Sequence, residues 1–292
     1  MTASIIDGNA IAAGIKSRVA DEIAALGKRA RPPCLAAVLI GDNPAAASYA
    51  RSQAKEAEGV GMQYRLVRLP ADISMAGACE GIARLNTDAS VDGIMLHLPV
   101  PVPLDAFELQ QGIAAGKDVE GVGAANLGLL LMGRDALVPC TAAAAMACLQ
   151  STGIDLAGRE AVVVGRSIIV GKPLAFVLVA AHATVTLCHT RTRDLAAHTR
   201  RAEVLCVAAG VPGLIGGEHV SPGAIVIDVG TQRVSATDSE GRRKTKMVGD
   251  VRFEEVVPIA RAVTPVPGGV GPVTVATLLA NATKACRKSL GF

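Results

Sequence analysis

The sequence predicts an α/β protein with two α/β domains and a cleft between them, the C-terminal domain being Rossmann-like. Short apolar runs alternate with helical patterns in two successive sets. Half of the residues are hydrophobic, yet only 2% are aromatic and there is no Trp. A core of Val, Ile, Leu and Ala suits a parallel sheet buried under helices. A chain of 292 residues also favours two domains over one.

The first half of the chain follows a β-α-β-α-β order. It opens with a helix at 9–29, where apolar residues recur at helical spacing. The predicted elements that follow are strands at 34–41, 63–69 and 91–99, with helices at 45–59 and 74–86 between them. Strands joined by helices in this manner imply parallel pairing with right-handed crossovers.

The second half repeats the alternation after a predicted loop at 116–128 and a connecting helix at 141–153. Its predicted elements are strands at 161–165, 183–188, 204–210 and 224–230, with helices at 172–182, 193–201 and 274–288. This second set predicts the Rossmann-like sheet.

Composition argues against several classes of protein. The formal charge of +3 is too small to indicate nucleic-acid binding, and the one basic cluster, 242–246, is interpreted as an exposed hairpin turn. The chain has no signal-peptide core and no apolar run of membrane length. The seven cysteines form neither a CxxC pair nor a metal-ligand spacing, so we expect reduced thiols in a cytoplasmic protein without a metal site.

A glycine turn marks a possible phosphate site. Gly165 ends the predicted strand 161–165, and Gly171 opens the next helix. A turn of this kind directs backbone N–H groups towards an anion above the strand end. The spacing is G-x5-G rather than the usual G-x-G-x-x-G, and such turns often bind nothing.

The end of the following strand bears on the choice of cofactor. NAD-binding folds usually place an acidic residue there to hold the ribose hydroxyls. Here the strand runs into His189, Thr190 and Arg191, and Arg166 lies in the first turn. Arginine and a hydroxyl group suit a 2′-phosphate, which favours NADP over NAD. The alternative is that Arg191 and Arg193 are solvated loop residues.

Motifs along the whole chain resemble the bifunctional methylenetetrahydrofolate dehydrogenase/cyclohydrolase family. They are IIDG (5–8), GDNPAAASYA (41–50), KDVEG (117–121), GRSIIVGKP (165–173), CHTRT (188–192), AAGVPG (208–213), VIDVG (226–230), VGDV (248–251) and TPVPGGVGPVTVATLL (264–279). The resemblance implies a folate-binding domain of residues 1–140 with 274–292, and an NADP-binding domain of residues 141–273. It also implies a folate bound in the cleft, a homodimer formed through the Rossmann domains, and a role in one-carbon metabolism.

The resemblance also implies roles for individual residues. The NADP-binding set is Gly165, Arg166, Ser167, Val170, Gly171, Thr190, Arg191, Ala209, Gly210, Thr231 and Gly271. The folate-binding set is Tyr49, Leu98, Pro99, Glu120, Pro267, Gly268 and Gly269. The predicted catalytic residues are Tyr49, Gln53, His97 and Glu120.

The catalytic positions depart from the family's pattern. The family has Y-x3-K, but Gln53 stands four residues after Tyr49 and carries no titratable proton. His97 stands where the family has Gln, and Glu120 where it has Asp. The nearby Lys55 is rotated away on the helix. His97 could form an amide–imidazole pair with Gln53, or it could simply bond a backbone carbonyl.

A fourth departure, at 140–146, replaces C-T-P-x-G with CTAAAAM. Together these residues predict an NADP-dependent 5,10-methylenetetrahydrofolate dehydrogenase whose cyclohydrolase activity is weak or absent. Two alternatives stay open: a related dehydrogenase acting on another one-carbon or pterin-like substrate, and a catalytically silent NADP-binding paralogue.

Overall fold

The chain divides into two units, seen in a computed structural model that describes residues 2–27, 31–237 and 243–292. The six-stranded unit comprises Met1–Ala12 and Thr141–Thr274, and the three-stranded unit comprises Ala13–Cys140 and Val275–Phe292. The prediction of an α/β protein with two units, the second Rossmann-like, is confirmed.

The placement of the first twelve residues in the folate-binding domain is wrong. Strand β1 (Ser4–Ile5) pairs in parallel with β11 (Ala262–Val263) at the edge of the six-stranded sheet. The backbone N–H groups of Ala3 and Ser4 also donate to carbonyls of Val257 and Arg261. These pairings tie the start of the chain to the six-stranded unit.

The three-stranded unit is built on a parallel sheet in the order β3-β2-β4. Its strands are β2 (Cys34–Ile40), β3 (Gln63–Leu69) and β4 (Gly93–Leu96). The helices from this part of the chain are α1 (Gly8–Leu26), α2 (Pro44–Gly59), α3 (Met75–Thr87), α4 (Ala106–Gln111) and α5 (Ala124–Leu131). Every residue of the central strand β2 is buried, as expected for a parallel strand covered on both faces.

Two helices of this unit differ from the predictions. The region 116–128 was predicted as a loop, but α5 begins inside it at Ala124. Glycines at 121, 123 and 128 conceal the helical pattern, although Gly123 serves as the N-cap. Helix α4 was not predicted; it begins after Asp105, whose side chain accepts from the N–H groups of Phe107 and Glu108.

The six-stranded unit has a sheet in the order β1-β11-β8-β7-β5-β6, all parallel. Its remaining strands are β5 (Glu160–Val164), β6 (Thr184–Cys188), β7 (Val204–Val207) and β8 (Ile225–Asp228). The helices are α6 (Cys140–Ser151), α7 (Gly171–Ala180), α8 (Leu195–Thr199) and α9 (Phe253–Val256), with a 3₁₀ turn at Gly217–His219. Helix α10 (Val270–Ser289) begins in this unit, and its residues from Val275 onwards belong to the three-stranded unit.

An antiparallel hairpin extends from this unit. It consists of β9 (Gln232–Thr237) and β10 (Arg243–Val248). The basic cluster 242–246 was predicted as the hairpin turn, but residues 243–246 belong to strand β10, and Arg242 lies outside the described residues. All seven cysteines are free thiols, and six of them are buried. Within residues 2–27, 31–237 and 243–292, no helix combines the length and apolarity that a membrane crossing requires.

Candidate active site

Helix α2 presents Tyr49 and Gln53 on one face. Its start is fixed by Asn43, whose side chain accepts from the N–H groups of Ala45 and Ala46, and by Pro44 in the first turn. Residues four apart on a helix are neighbours, so both side chains share one face. Gln53 is only 2% exposed, whereas Tyr49 is 46% exposed. The amide is therefore a buried group that needs a partner.

That partner is Tyr64, which lies on strand β3. Its hydroxyl donates to Gln53 Oε1 at 3.3 Å and lies 3.3 Å from His97 Nε2. His97 directly follows β4 and is 3% exposed. Its ring meets the Tyr49 ring edge to face, with centroids 6.0 Å apart. The suggested amide–imidazole pair is thus corrected: Tyr64 stands between Gln53 and His97.

We call Tyr49, Gln53, Tyr64 and His97 the neutral network. Burial raises the pKa of Tyr64 well above its usual value and lowers that of His97. Burial also raises the pKa of Tyr49, and a hydrogen bond with Gln53 partly opposes this shift. At neutral pH the four side chains therefore carry no charge. Both tyrosines of the chain belong to this group.

Glu120 supplies a carboxyl group beside the end of β4. Its Oε2 accepts from the N–H group of Leu96 at 3.2 Å. Part of its surface is accessible, yet burial raises its pKa to about 7, and the nearby Asp118 charge acts in the same direction. Asp118 holds this turn by accepting from the N–H groups of Gly121 and Gly123 at 3.0 and 2.7 Å.

The remaining predicted residues of this unit flank the same strand end. Leu98 and Pro99 follow His97 directly and are exposed, Leu98 by 42%. Lys55 is exposed on α2. Tyr64 was missed by the sequence analysis, because its contact with Gln53 and His97 arises from the packing of a strand against a helix.

The glycine turn has the predicted position in the six-stranded unit. Strand β5 ends at Val164, and Gly165 has a φ of 122°, a region that favours glycine. A Cβ atom on Gly171 would lie 1.9 Å from the carbonyl oxygen of Gly165. The turn therefore requires glycine at 171, as a close strand-to-helix junction does.

The N–H groups of this turn are less free than predicted. Ser167 Oγ accepts from the N–H of Val170 at 3.1 Å and from that of Gly171 at 3.4 Å. The expectation that all of these amides point freely at a ligand is therefore wrong for Val170 and Gly171. Arg166 and Ser167 are exposed at the carboxyl end of β5.

The end of β6 carries basic and hydroxyl groups. Thr190 and Arg191 are exposed there. The loop is shaped by His189, whose Nδ1 accepts from the N–H of Arg191 at 3.1 Å. The first acidic residue after the strand is Asp194, and its carboxylate caps α8 by accepting from the N–H of Ala197. That carboxylate is already engaged by the backbone of its own helix.

Two buried aspartates hold the loops at the carboxyl ends of β7 and β8. Asp250, which is 0% exposed, accepts from the N–H groups of Ala209 and Gly210 at 2.7 and 2.8 Å. Asp228 accepts from the N–H groups of Gly230, Asp250 and Val251, each at 3.0 Å. Burial raises the pKa of both carboxyls, that of Asp228 to about 7.

A cavity of about 430 Å³ lies next to Asp228. It brings together Thr231, Gly271 and the turn 267–269, all predicted to contact ligands. Asn9 and Met247 also line this cavity and were not predicted. Asn9 directly follows the IIDG motif, so that motif held the one signal that could have indicated it.

A parallel six-stranded sheet with a glycine turn and basic groups at its carboxyl edge is typical of the class of dinucleotide-binding proteins. Residues 6–120 match the family description "Tetrahydrofolate dehydrogenase/cyclohydrolase, catalytic domain", and residues 139–290 match its "NAD(P)-binding domain". The chain belongs to the tetrahydrofolate dehydrogenase/cyclohydrolase family. The resemblance found in the sequence is therefore confirmed, as is the prediction of an NAD(P)-dependent enzyme.

Individual relatives match over nearly the whole length. The chain is 45% identical over 289 residues to the "Bifunctional protein FolD" of Azoarcus sp. (strain BH72), covering 99% of this chain and 98% of the relative. The structure of the bifunctional FolD dehydrogenase/cyclohydrolase of Campylobacter jejuni matches with a TM-score of 0.92 and 40% identity, covering 98% of this chain and 99% of that one.

The Trypanosoma brucei FolD structure, which is described as complexed with NADP cofactor and inhibitor, also has a TM-score of 0.92. It is 36% identical and covers 99% of both chains. The names of the two solved structures give both activities, so they lend no support to a weakened cyclohydrolase.

Proposed function

We propose that this protein is an NADP-dependent 5,10-methylenetetrahydrofolate dehydrogenase. The whole-length match to both domains of the family, in order along the chain, is the observation that carries this proposal. The reaction transfers a hydride from the one-carbon bridge of the folate to the nicotinamide ring, giving NADPH and the 5,10-methenyl cation. It moves no proton, so alignment is the main requirement, and alignment can supply about 7–11 kcal/mol.

The residues of the three-stranded unit suit the folate. The exposed ring of Tyr49 offers a face for the pterin, while Glu120 offers a carboxyl for its ring nitrogens. Gln53 and His97 present neutral polar groups beside the bridge carbon. Because the network carries no charge at neutral pH, it does not raise the energy of the methenyl cation as an ammonium group would.

The six-stranded unit suits NADP. Gly165 and Gly171 shape the turn that would receive the pyrophosphate, and Asp250 holds the 209–210 loop. Thr190 and Arg191 are exposed where a 2′-phosphate would lie, and Arg191 can bind it with a bidentate fork. The cofactor supplies the hydride acceptor, and these residues bind and orient it.

The finer part of the proposal concerns hydrolysis of the methenyl product. That step adds water, releases a proton and opens the ring to 10-formyltetrahydrofolate, so it benefits from a proton carrier worth about 10²–10⁴-fold. Gln53 cannot carry a proton, and its amide oxygen is occupied by Tyr64. We therefore propose that cyclohydrolase activity is weak or absent.

A full bifunctional enzyme is the second candidate. It is favoured by Glu120, whose pKa of about 7 suits a general base at neutral pH. In this case Glu120 would take the proton of the attacking water, because residue 53 has no amine to do so. The names of the relatives point the same way.

One assay separates the two candidates. Purified enzyme receives NADP and 5,10-methylenetetrahydrofolate, and NADPH and the methenyl product are followed at two wavelengths, with NAD in a parallel sample. The proposal expects NADPH and methenyl product to appear in equal amounts and the latter to persist. Rapid loss of the methenyl signal would favour the bifunctional candidate, and no NADPH at all would contradict both.

The assembly and location are also proposals. We propose a homodimer formed through the six-stranded unit, supported by β6 as an edge strand and by Phe176 and Val179 of α7, which are 41% and 52% exposed. We place the enzyme in the cytoplasm, in keeping with its seven free thiols.

A further inference from the structure

Tyr64 belongs to none of the motifs found in the sequence, yet its hydroxyl connects two residues of the candidate active site. Its hydroxyl lies 3.3 Å from both Gln53 Oε1 and His97 Nε2. Gln53 and His97 are 2% and 3% exposed, so neither can replace this contact with bulk water. A buried polar group left without a partner destabilises the folded protein. The bridge is therefore the feature that makes this pair of residues compatible with burial.

The bond from Tyr64 to Gln53 sets the direction of the bridge, and counting protons then fixes the tautomer of His97. A phenol has one proton to donate, while an amide oxygen only accepts. When Tyr64 donates to Gln53 Oε1, its oxygen must accept from His97, which requires a proton on Nε2. The other nitrogen, Nδ1, then carries a free lone pair.

The effect of Gln53 on Tyr49 agrees with this direction. A hydrogen bond with Gln53 lowers the pKa of Tyr49, which is the effect of a donor on a phenol oxygen. The amide oxygen faces Tyr64, which leaves the N–H donors of the amide for other partners.

We propose that Tyr64 is a positioning residue of this active site, and that its hydroxyl holds the Gln53 amide in one orientation and His97 in the Nε2–H tautomer. The role of the tautomer in catalysis rests on the function proposed above, but the tautomer itself is a property of the protein alone. In this arrangement, Nδ1 of His97 and the N–H donors of the Gln53 amide are the polar atoms of the pair that Tyr64 does not engage.

The direction of the bridge predicts what a change at residue 53 does to His97. An ammonium group only donates, so in Gln53→Lys the Tyr64 hydroxyl accepts a hydrogen bond from the lysine and donates its own to His97 Nε2. The imidazole then has to carry its proton on Nδ1. In Gln53→Glu the carboxyl oxygen still accepts from Tyr64, so the Nε2–H tautomer is retained.

The test is NMR spectroscopy of the full-length enzyme, labelled with ¹⁵N-histidine and free of folate and nucleotide. His97→Gln assigns the His97 resonances among the five histidines. We expect the Nε2–H tautomer in the parent protein and in Gln53→Glu. In Gln53→Lys we expect the Nδ1–H tautomer, in which the ¹⁵N chemical shifts of Nδ1 and Nε2 are interchanged. Tyr64→Phe should lose the single tautomer and give a mixture. Tyr49→Phe, which removes the other phenol, should leave the tautomer unchanged.

The outcome that overturns the proposal is equally specific. An Nδ1–H tautomer in the parent protein contradicts the direction of the bridge. One tautomer shared by the parent, Tyr64→Phe and Gln53→Lys proteins reduces Tyr64 to a packing residue, even where Tyr64→Phe lowers the melting temperature. Because no substrate is present, this result stands or falls separately from the turnover assay. In that assay, Gln53→Lys is expected to restore little hydrolysis, since it also reverses the tautomer of His97.

Discussion

The candidate site of one unit is formed mainly by side chains, and that of the other mainly by the backbone. In the three-stranded unit, the polar groups belong to side chains: Gln53 and Tyr64 bond to each other, and His97 completes the network. In the six-stranded unit, glycine turns and backbone N–H groups form most of the site, and Asp228 and Asp250 hold them in place. A side-chain network can change its chemistry by one substitution, whereas a backbone site depends on the fold around it.

The contrast also appears in the charges. The network has four uncharged side chains, which suits a step that moves a hydride and leaves a cation. The loops of the six-stranded unit surround buried carboxyl groups that accept up to three N–H bonds. We therefore expect changes in the six-stranded unit to affect folding most, and changes in the network to affect chemistry.

The largest expected effect follows from Asp250→Ala. This variant leaves the N–H groups of Ala209 and Gly210 without their acceptor, at about 1–3 kcal/mol each, so the free energy of unfolding should fall by about 2–6 kcal/mol. Urea unfolding measures the loss. The matched control is Asp155→Ala, which removes an acceptor from the exposed N–H of Ala157 and should cost less than about 1 kcal/mol. Equal losses of unfolding free energy in the two variants would show that Asp250 stabilises its loop no more than an exposed aspartate does.

A moderate effect is expected from Arg191→Ala. Hydrogen bonds to charged groups contribute about 1.5–3 kcal/mol, so removal of the guanidinium should weaken NADP binding by about 10–100-fold. NAD, which has no 2′-phosphate, should bind equally well to both proteins. Calorimetric titration with each nucleotide provides the measurement, with the neighbouring Arg193→Ala as the control. A parallel loss for NAD would show that Arg191 supports the loop rather than the phosphate.

The smallest effect concerns pH. The pKa of Glu120 rises to about 7 on folding, so the folded protein retains a proton that the unfolded chain releases near pH 4.5. Stability should therefore fall as the pH rises from about 4.5 to about 7, by at most about 3 kcal/mol for this group. Glu120→Gln should flatten this dependence without abolishing it, because Asp228 titrates in the same direction. Urea unfolding across this range tests the sign.

The exposed Glu58→Gln serves as the control for that series. Its stability should follow the parent protein at every pH. A stability that rises with pH in the parent, or the same slope in Glu120→Gln, would show that Glu120 is an ordinary ionised carboxylate.

The sequence was sufficient where a local pattern determines the structure. The buried run 34–40 and the glycines at 165 and 171 are readable because apolar burial and close turns act over a few residues. Gln53 could be placed beside Tyr49 because a helix relates residues four apart. The absence of a titratable group four residues after Tyr49 was therefore visible before the structure.

The parts that were missed depend on contacts between distant segments. Tyr64 reaches Gln53 and His97 from a separate strand, and no spacing in the sequence records that contact. The two-residue strand β1 is too short to produce a pattern, so residues 1–12 were assigned to the wrong unit. The engagement of the Gly171 amide by Ser167 depends on loop geometry that composition does not determine.

The central claim is that an uncharged, amide-based network supports hydride transfer but does not supply the proton carrier for hydrolysis. The most direct measurement supplies 5,10-methenyltetrahydrofolate to the purified enzyme, without nucleotide, and follows the decay of its absorbance against buffer alone. The account predicts nearly the same decay in both samples, from a preparation that reduces NADP with the methylene substrate. Decay greatly accelerated by the enzyme, and lost in Glu120→Gln, would contradict it and make Glu120 the base of a bifunctional enzyme.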